Sequence, residues 1–315
     1  MIERAPVPPE RATLELHVVP AEAPVRRLDQ QVMAGFDRFP TRASARKACD
    51  RGEVAVNGVV SESSRWVGPG DTIGWLEPLD RRVRPLPRSM PVLYEDDQLA
   101  VIDKPAGLVT MRTWGRTVER ALPFNLTPST APDALADPRP VHRLDASTSG
   151  VLVVAKTRSA HAALGRLFEE RRVDKRYGAL VVGELVGAGV VELPIDGRDA
   201  VTEYRSVSVT PALRGGAIST VELWPRTGRT HQLRRHLAHL GAPILGDTLY
   251  GRPGQTLIGK GLFLYAASVR FDHPATGVPL EVAAPEPPKF ASFREREARR
   301  HARWHAVGGG APPVM

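Results

Sequence analysis

The stretch Pro140-Val141-His142-Arg143-Leu144-Asp145-Ala146-Ser147-Thr148-Ser149-Gly150-Val151-Leu152-Val153-Val154-Ala155-Lys156 constrains this chain more than any other. It passes from a charged segment through a Ser-Thr-Ser-Gly turn signal into a run of apolar, mostly β-branched residues, the pattern of a loop feeding a buried strand. Such a strand holds the loop before it rigidly, so Asp145 is expected at the mouth of a cleft. His142 and Arg143 give it a cationic neighbourhood, which favours the ionised carboxylate. An ionised acid on a supported loop is a candidate nucleophile or base, although an Arg-x-Asp pair by itself is commonly structural.

Taken in order, residues 1–24 are proline-rich and read as a lead-in segment. Residues 25–76 change character. Leu28, Val32, Met33 and Phe36 recur at helical spacing, Pro40 stops the run, and Thr41 can cap a second helix that carries Arg42, Arg46 and Lys47. Val54-Ala55-Val56 alternates into Asn57-Gly58, a strong hairpin signal, and Trp66-Val67 returns. Residues 77–91 mix prolines and arginines as a stiff linker.

A second domain is expected over 92–290, and residues 291–315 read as a basic, partly disordered tail with one helix between Arg294 and His305. Residues 112–139 show no period and several prolines, and are read as a long loop. Ser159 can cap a helix with the stripe Ala160, Leu164, Leu167 and Phe168. Lys175 to Val182 reads as a strand with Tyr177, Ala179 and Val181 on one face. Further on, Thr230 can cap a helix striped by Leu233, Leu237 and Leu240 and ended by Gly241. Periodicity allows α+β or α/β.

The 315 residues include 43 Lys and Arg against 35 acids, a formal charge of +8, which favours a polyanionic partner. One cysteine, Cys49, excludes a disulfide framework and a cysteine-cluster metal site. His231, His236 and His239 lack the i, i+4 pair of a helical zinc site, so no metal is expected. Neither a P-loop nor a dinucleotide fingerprint is present, and no cofactor is expected. No apolar run approaches a membrane span, so no membrane partner and a cytoplasmic location are expected.

The word His-Arg-Leu-Asp-x-x-Thr-Ser-Gly at 142–150, followed by its apolar strand, resembles the signature of the RluA-type pseudouridine synthases. Lys104-Pro105-Ala106-Gly107-Leu108, the Lys-x-Tyr-x-Ala-x-Val word from Lys175, Gly228-Arg229-Thr230-His231-Gln232-Leu233-Arg234 and the Gly-Asp-x-Leu-Tyr-Gly word ending at Gly251 occur in that family's order. Two positions depart from it: Val109-Thr110-Met111 stands where many members have His-Pro, and Tyr265 where His is usual.

The resemblance implies an α+β catalytic domain with a mainly antiparallel mixed sheet and flanking helices, converting uridine to pseudouridine in structured RNA by base flipping and without a cofactor. It assigns the reacting carboxylate to Asp145 and a base-packing ring to Tyr177. Arg234 becomes the partner of Asp145, with Arg229 as second choice. Arg143 fills the gap left by the flipped base, and His142, Arg229 and His231 join the RNA contacts. Residues 25–76 resemble the S-four RNA-binding module, a small αL-type domain, which implies RNA contacts at Arg42, Arg46, Lys47 and Arg51. Such a module is typical of members that modify large-subunit ribosomal RNA; transfer RNA is the alternative substrate, and a monomer is expected. A non-catalytic RNA-binding or ribosome-assembly protein is the rival reading, but it need not keep Asp145, Tyr177 and Arg234.

Overall fold

The computed structural model describes residues 12–77, 85–111, 116–213, 215–252, 257 and 259–306. The chain divides into two units, Met1–Arg81 and Arg82–Met315. Most of the proline-rich start, much of the linker and the final glycines lie outside the described residues.

The first unit holds β1 (Thr13–Val18), β2 (Arg26–Arg27), α1 (Leu28–Gly35), α2 (Arg42–Asp50), β3 (Val54–Val56), β4 (Val59–Val60), β5 (Trp66–Val67) and β6 (Thr72–Leu76). Helix α2 starts in a capping box: the Thr41 hydroxyl accepts from the Ser44 N–H at 3.1 Å, and Ser44 Oγ accepts from the Thr41 N–H at 3.2 Å. Asn57 and Gly58 turn the β3–β4 hairpin with φ of 52° and 77°, as an Asn-Gly turn requires. Leu28, Val32, Phe36, Ala45, Ala48, Val56 and Ile73 form the core between the two helices and the sheet. Met33 points outward.

One expectation fails here. Residues 13–18, read as part of a lead-in, form a strand paired with β6, and the sheet order is β1-β6-β3-β4. Leu14, Leu16 and Val18 do alternate with Thr13, Glu15 and His17, but the strand is short and follows a proline-rich stretch, and its apolar residues are exposed, so the composition around it hides the signal.

The second unit runs β7 (Val92–Glu95), β8 (Leu99–Lys104), α3 (Val118–Asn125), β9 (Ala134–Pro140), β10 (Ser149–Thr157), α4 (Arg158–Glu169), β11 (Asp174–Val182), β12 (Ala188–Val191), β13 (Thr202–Pro211), β14 (Ala217–Pro225), α5 (Gln232–His239), β15 (Leu264–Asp272), β16 (Pro279–Ala283) and α6 (Pro288–Ala306). Its sheet follows β12-β13-β14-β11-β15-β10-β8-β7, with β9 beside β10 and β16 beside β15. Among the described residues, every pair of named strands in it is antiparallel except β10 with β15. It is the α+β, mainly antiparallel mixed sheet that the sequence words implied.

The parallel junction is short, with Ser149 opposite Tyr265 and Gly150 opposite Ala266. Gly150 has φ of 106°, and a Cβ there would lie 2.1 Å from the Ala266 carbonyl oxygen. Only glycine lets the strands approach so closely. Two apolar cores flank this seam: one centres on β8, β10, α3 and α4, the other on β11, β14, α5 and α6.

The stretch 112–139 is not one loop. It contains α3, capped by the Thr117 hydroxyl, and β9. Pro123 in the helix and the prolines of β9 masked both patterns. Thr157, rather than Ser159, caps α4. Helix α6 begins before the expected tail and seats Phe290 and Phe293 against Phe263, at 5.2 and 5.1 Å between ring centroids. It completes the second core, which arginine-rich composition concealed. Phe290→Ala is therefore expected to destabilise the protein by about 3–5 kcal/mol, the range for emptying a buried phenylalanine site; urea denaturation followed by tryptophan fluorescence measures it.

Candidate active site

One cleft of about 460 Å³ collects seven of the singled-out side chains: His142, Arg143, Asp145, Tyr177, Arg229, His231 and Arg234. Its size falls among small-molecule sites, which span roughly 300–1,000 Å³. The turn that carries Asp145 enters β10. Strand β11 supplies Tyr177, and the segment between β14 and α5 supplies Arg229 and His231.

The Asp145 turn is braced from several sides. Thr110 Oγ1 donates to the Leu144 carbonyl at 2.8 Å and accepts from the Leu144 N–H at 3.1 Å. The Gly107 N–H donates to the Ala146 carbonyl at 2.7 Å, and the Thr148 N–H to the Asp145 carbonyl at 3.1 Å. Lys104, fully buried, donates to the carbonyls of Pro105 and Ala146 at 3.0 and 3.4 Å. Burial draws its ammonium down to about 8, opposed by the charges of Asp145 and Asp103. Thr110, one of the positions that departs from the usual family word, thus ties the turn down from beneath.

Tyr177 packs against both apolar cores. Burial, and secondly the Asp145 charge, push its hydroxyl well above the ordinary phenol range, so the ring stays neutral. His142 lines the cleft, but its ring serves the fold: Nε2 accepts from the Val153 N–H at 3.0 Å and the ring stacks on Phe168 at 4.6 Å. Burial, then Lys175, drives it down to about 3. Arg143 is exposed and has no ion pair among the described residues.

The partner expected for Asp145 is otherwise engaged. Arg234 Nε and Nη2 each donate to Asp247 at 2.7 Å, a bidentate pair with both side chains buried. That hydrogen bond is the main cause of the raised Arg234 pKa; Asp145 contributes less. Arg229, the second choice, gives its Nε–H to the Asp199 carbonyl at 3.0 Å. Among the described residues the basic group paired with Asp145 is His231, whose Nε2 lies 3.8 Å from Oδ2. Sequence reasoning gave Arg234 to Asp145 because both stand in strong words; the competing acid arrives later in the chain.

The helix start also differs from expectation. Thr230 is not the cap of α5; His231 precedes the helix in the left-handed region, with φ of 53°, and caps nothing with its side chain. The buried Gln232 holds the segment instead. Its Oε1 accepts from Thr227 Oγ1 at 2.7 Å and from the Arg229 N–H at 3.0 Å, while Nε2 donates to the Val201 carbonyl and Thr202 Oγ1. Gln232, Asp247, Tyr250, Lys104 and Thr110 all stand in or beside the quoted words, but their roles depend on long-range contacts that spacing does not reveal.

Residues 98–239 match the RNA pseudouridylate synthase family. Over 330 aligned residues the chain is 36% identical to ribosomal large subunit pseudouridine synthase D of Xanthomonas campestris pv. campestris, covering 92% of this chain and 96% of that protein. The chain belongs to the RNA pseudouridine synthase family. The Vibrio cholerae protein of the same name is 35% identical, with 83% and 88% of the two chains covered. Among solved structures, human RNA pseudouridylate synthase domain containing 4 superposes with a TM-score of 0.53 at 26% identity, covering 66% of this synthase and 93% of the human chain. The synthase is thus an RNA-modifying isomerase. No helix among its described residues is long and apolar enough to cross a membrane.

The four RNA contacts expected in the first unit sit on or just after α2. Arg42 donates to the buried Asp29 at 2.9 Å, Arg46 lies 3.9 Å from Asp50, and Arg51 pairs with Glu53. Lys47 is exposed, with no ion pair among the described residues.

The neutral His142 predicts an acid sensitivity. An unfolded chain binds a proton on this ring below its ordinary value near 6.5, whereas the folded ring does so only near 3, so its contribution to stability falls as pH drops through that window. Comparing thermal midpoints of wild type and His142→Gln between pH 7 and about pH 4 should show any wild-type advantage shrinking on acidification.

Proposed function

We propose that this synthase isomerises uridine in large-subunit ribosomal RNA, with Asp145 as the reacting carboxylate. The choice of substrate is carried by the likeness, along nearly its whole length, to ribosomal large subunit pseudouridine synthase D. The reaction detaches uracil at N1 and rejoins it to the ribose through C5, so nothing enters or leaves overall. A base in structured RNA is stacked or paired and must be extruded to be reached. The cleft suits the extruded base: a neutral Tyr177 ring offers it a flat face, and a carboxylate on a braced turn meets the sugar.

A carboxylate enclosed with a base loses water and needs compensating charge. Lys104 and Arg234 supply it at a distance, each electrostatically coupled to Asp145. Arg143, exposed and unpaired among the described residues, is suited to occupy the space the base vacates. The first unit is an S-four-like RNA-binding domain in this reading, with Lys47 the cation of α2 best placed for phosphate. Arg42 and Arg51 stabilise acids of their own unit first.

Asp145→Asn should abolish pseudouridine formation while leaving folding and RNA affinity near wild type, since the reacting charge goes and the shape stays. Mapping pseudouridine in ribosomal and transfer RNA from a deletion strain, complemented with wild type or Asp145→Asn, reads both substrate and residue. A lost site in transfer RNA alone would move the substrate there, and full complementation by Asp145→Asn would remove Asp145 from the chemistry.

Lys47→Ala should weaken RNA binding and lower the slope of log affinity against log salt by about 0.7–0.9, the effect of one lost phosphate contact. An unchanged slope in filter-binding titrations would take α2 off the RNA surface.

A further inference from the structure

The Asp145 carboxylate needs groups that hold its orientation, and Arg234 gives its Nε and Nη2 to Asp247 and reaches Asp145 only through its charge. Asp247 does more than bind Arg234. Its Oδ1 also accepts the Leu249 and Tyr250 N–H groups at 2.9 and 3.0 Å, and the Arg234 guanidinium lies 5.1 Å over the Tyr250 ring. Tyr250 is thereby fixed at its backbone and across its face. Its hydroxyl sits 3.0 Å from His231 Nδ1, with the two rings edge to face at 5.7 Å. On the far side of the same imidazole, Nε2 faces Asp145 Oδ2 at 3.8 Å.

A neutral imidazole carries one N–H. With that proton on Nδ1, a bare lone pair on Nε2 would face a carboxylate oxygen, which is repulsive. With the Tyr250 hydroxyl donating to Nδ1, the proton sits on Nε2 and is directed at Asp145. We propose that His231 is a further positioning residue for Asp145, with Tyr250 selecting the tautomer that donates to it. The inference rests on the reading of Asp145 as the reacting carboxylate. The 3.8 Å separation is longer than a hydrogen bond; catalytic contacts of this length shorten in the substrate complex.

The backbone gives independent support. His231 takes φ of 53° and ψ of 26°, a left-handed conformation uncommon for residues with a side chain, which His, Asn and Asp enter more readily than the rest and Gly most freely. If this position served only to shape the turn into α5, Asn or Gly would serve it with less strain. Both ring nitrogens are aimed at polar partners, the Tyr250 hydroxyl and the Asp145 carboxylate, which points to work done by the ring.

This conflict between backbone and ring supplies the test. Asn fits the left-handed backbone but is too short to reach Asp145; Gln keeps a donor near the Nε2 position and strains the backbone. Full-length His231→Asn, His231→Gln, Tyr250→Phe and Asp145→Asn are assayed on unmodified large-subunit ribosomal RNA transcribed in vitro, with thermal midpoints measured alongside. His231→Asn should fold at least as stably as His231→Gln yet show the lower kcat, roughly 10- to 100-fold below wild type, with KM within about twofold. Tyr250→Phe should lose about two- to tenfold in kcat, the effect of one neutral hydrogen bond.

A purely structural role predicts the opposite order, with activity following stability and Asn above Gln. That order, or wild-type kcat in His231→Asn, overturns the proposal. Wild-type kcat in Tyr250→Phe overturns the tautomer step. An active Asp145→Asn sinks the underlying reading instead, so the two failures are told apart.

Discussion

The cleft depends on one short turn being unable to move. Leu144 is fixed through both its carbonyl and its N–H by the single hydroxyl of Thr110, and Ala146 is held through its carbonyl by Gly107 and Lys104. These bonds are mostly backbone to neighbour, so they leave the Asp145 side chain free while removing the freedom of the chain that carries it. Preorganisation of this kind lets a reacting group meet its target without an entropic penalty at the moment of reaction. It also explains why a buried lysine is tolerated there. Its ammonium donates to the Pro105 carbonyl and more weakly to the Ala146 carbonyl that Gly107 also binds, and nearby acids oppose the loss of its charge.

The facing wall is built on a different plan. Gln232 uses both amide ends to tie the segment before α5 to Thr227, Arg229, Val201 and Thr202. Behind it, Arg234 and Asp247 form a buried ion pair that is also hydrogen-bonded to backbone, so neither charge is left uncompensated. One wall is thus held mainly through carbonyls and the other mainly through side-chain amide and guanidinium groups.

What sequence could convey followed a consistent physical line. The turn-and-strand pattern around Asp145, the strand bearing Tyr177, the Asn57-Gly58 hairpin and the apolar stripe of α5 are local signals, written within a few residues of where they act. β1 escaped because its brief alternation, Leu14, Leu16 and Val18, sits in a proline-rich stretch and its apolar residues stay exposed. Helix α3 escaped because Pro123 sits inside it, and α6 because the residues that bury it, Phe290 and Phe293, precede the charged text that dominates its composition. The partner of Arg234 was misjudged for another reason. A guanidinium takes the carboxylate that best completes its two-pronged geometry, and Asp247 is delivered by the chain's return after α5, a fact of three-dimensional routing.

Asp145 hangs from β10 and Tyr177 from β11, and the only strand between them is β15, which meets β10 over the brief Gly150 junction. The gap between carboxylate and ring is therefore a mechanical coordinate of the sheet. A side chain at Gly150 would prop the strands apart and reset the resting width of the gap. The spacing of carboxylate and ring is thus written into the backbone of the sheet, at the one point where Gly150 admits the Ala266 carbonyl.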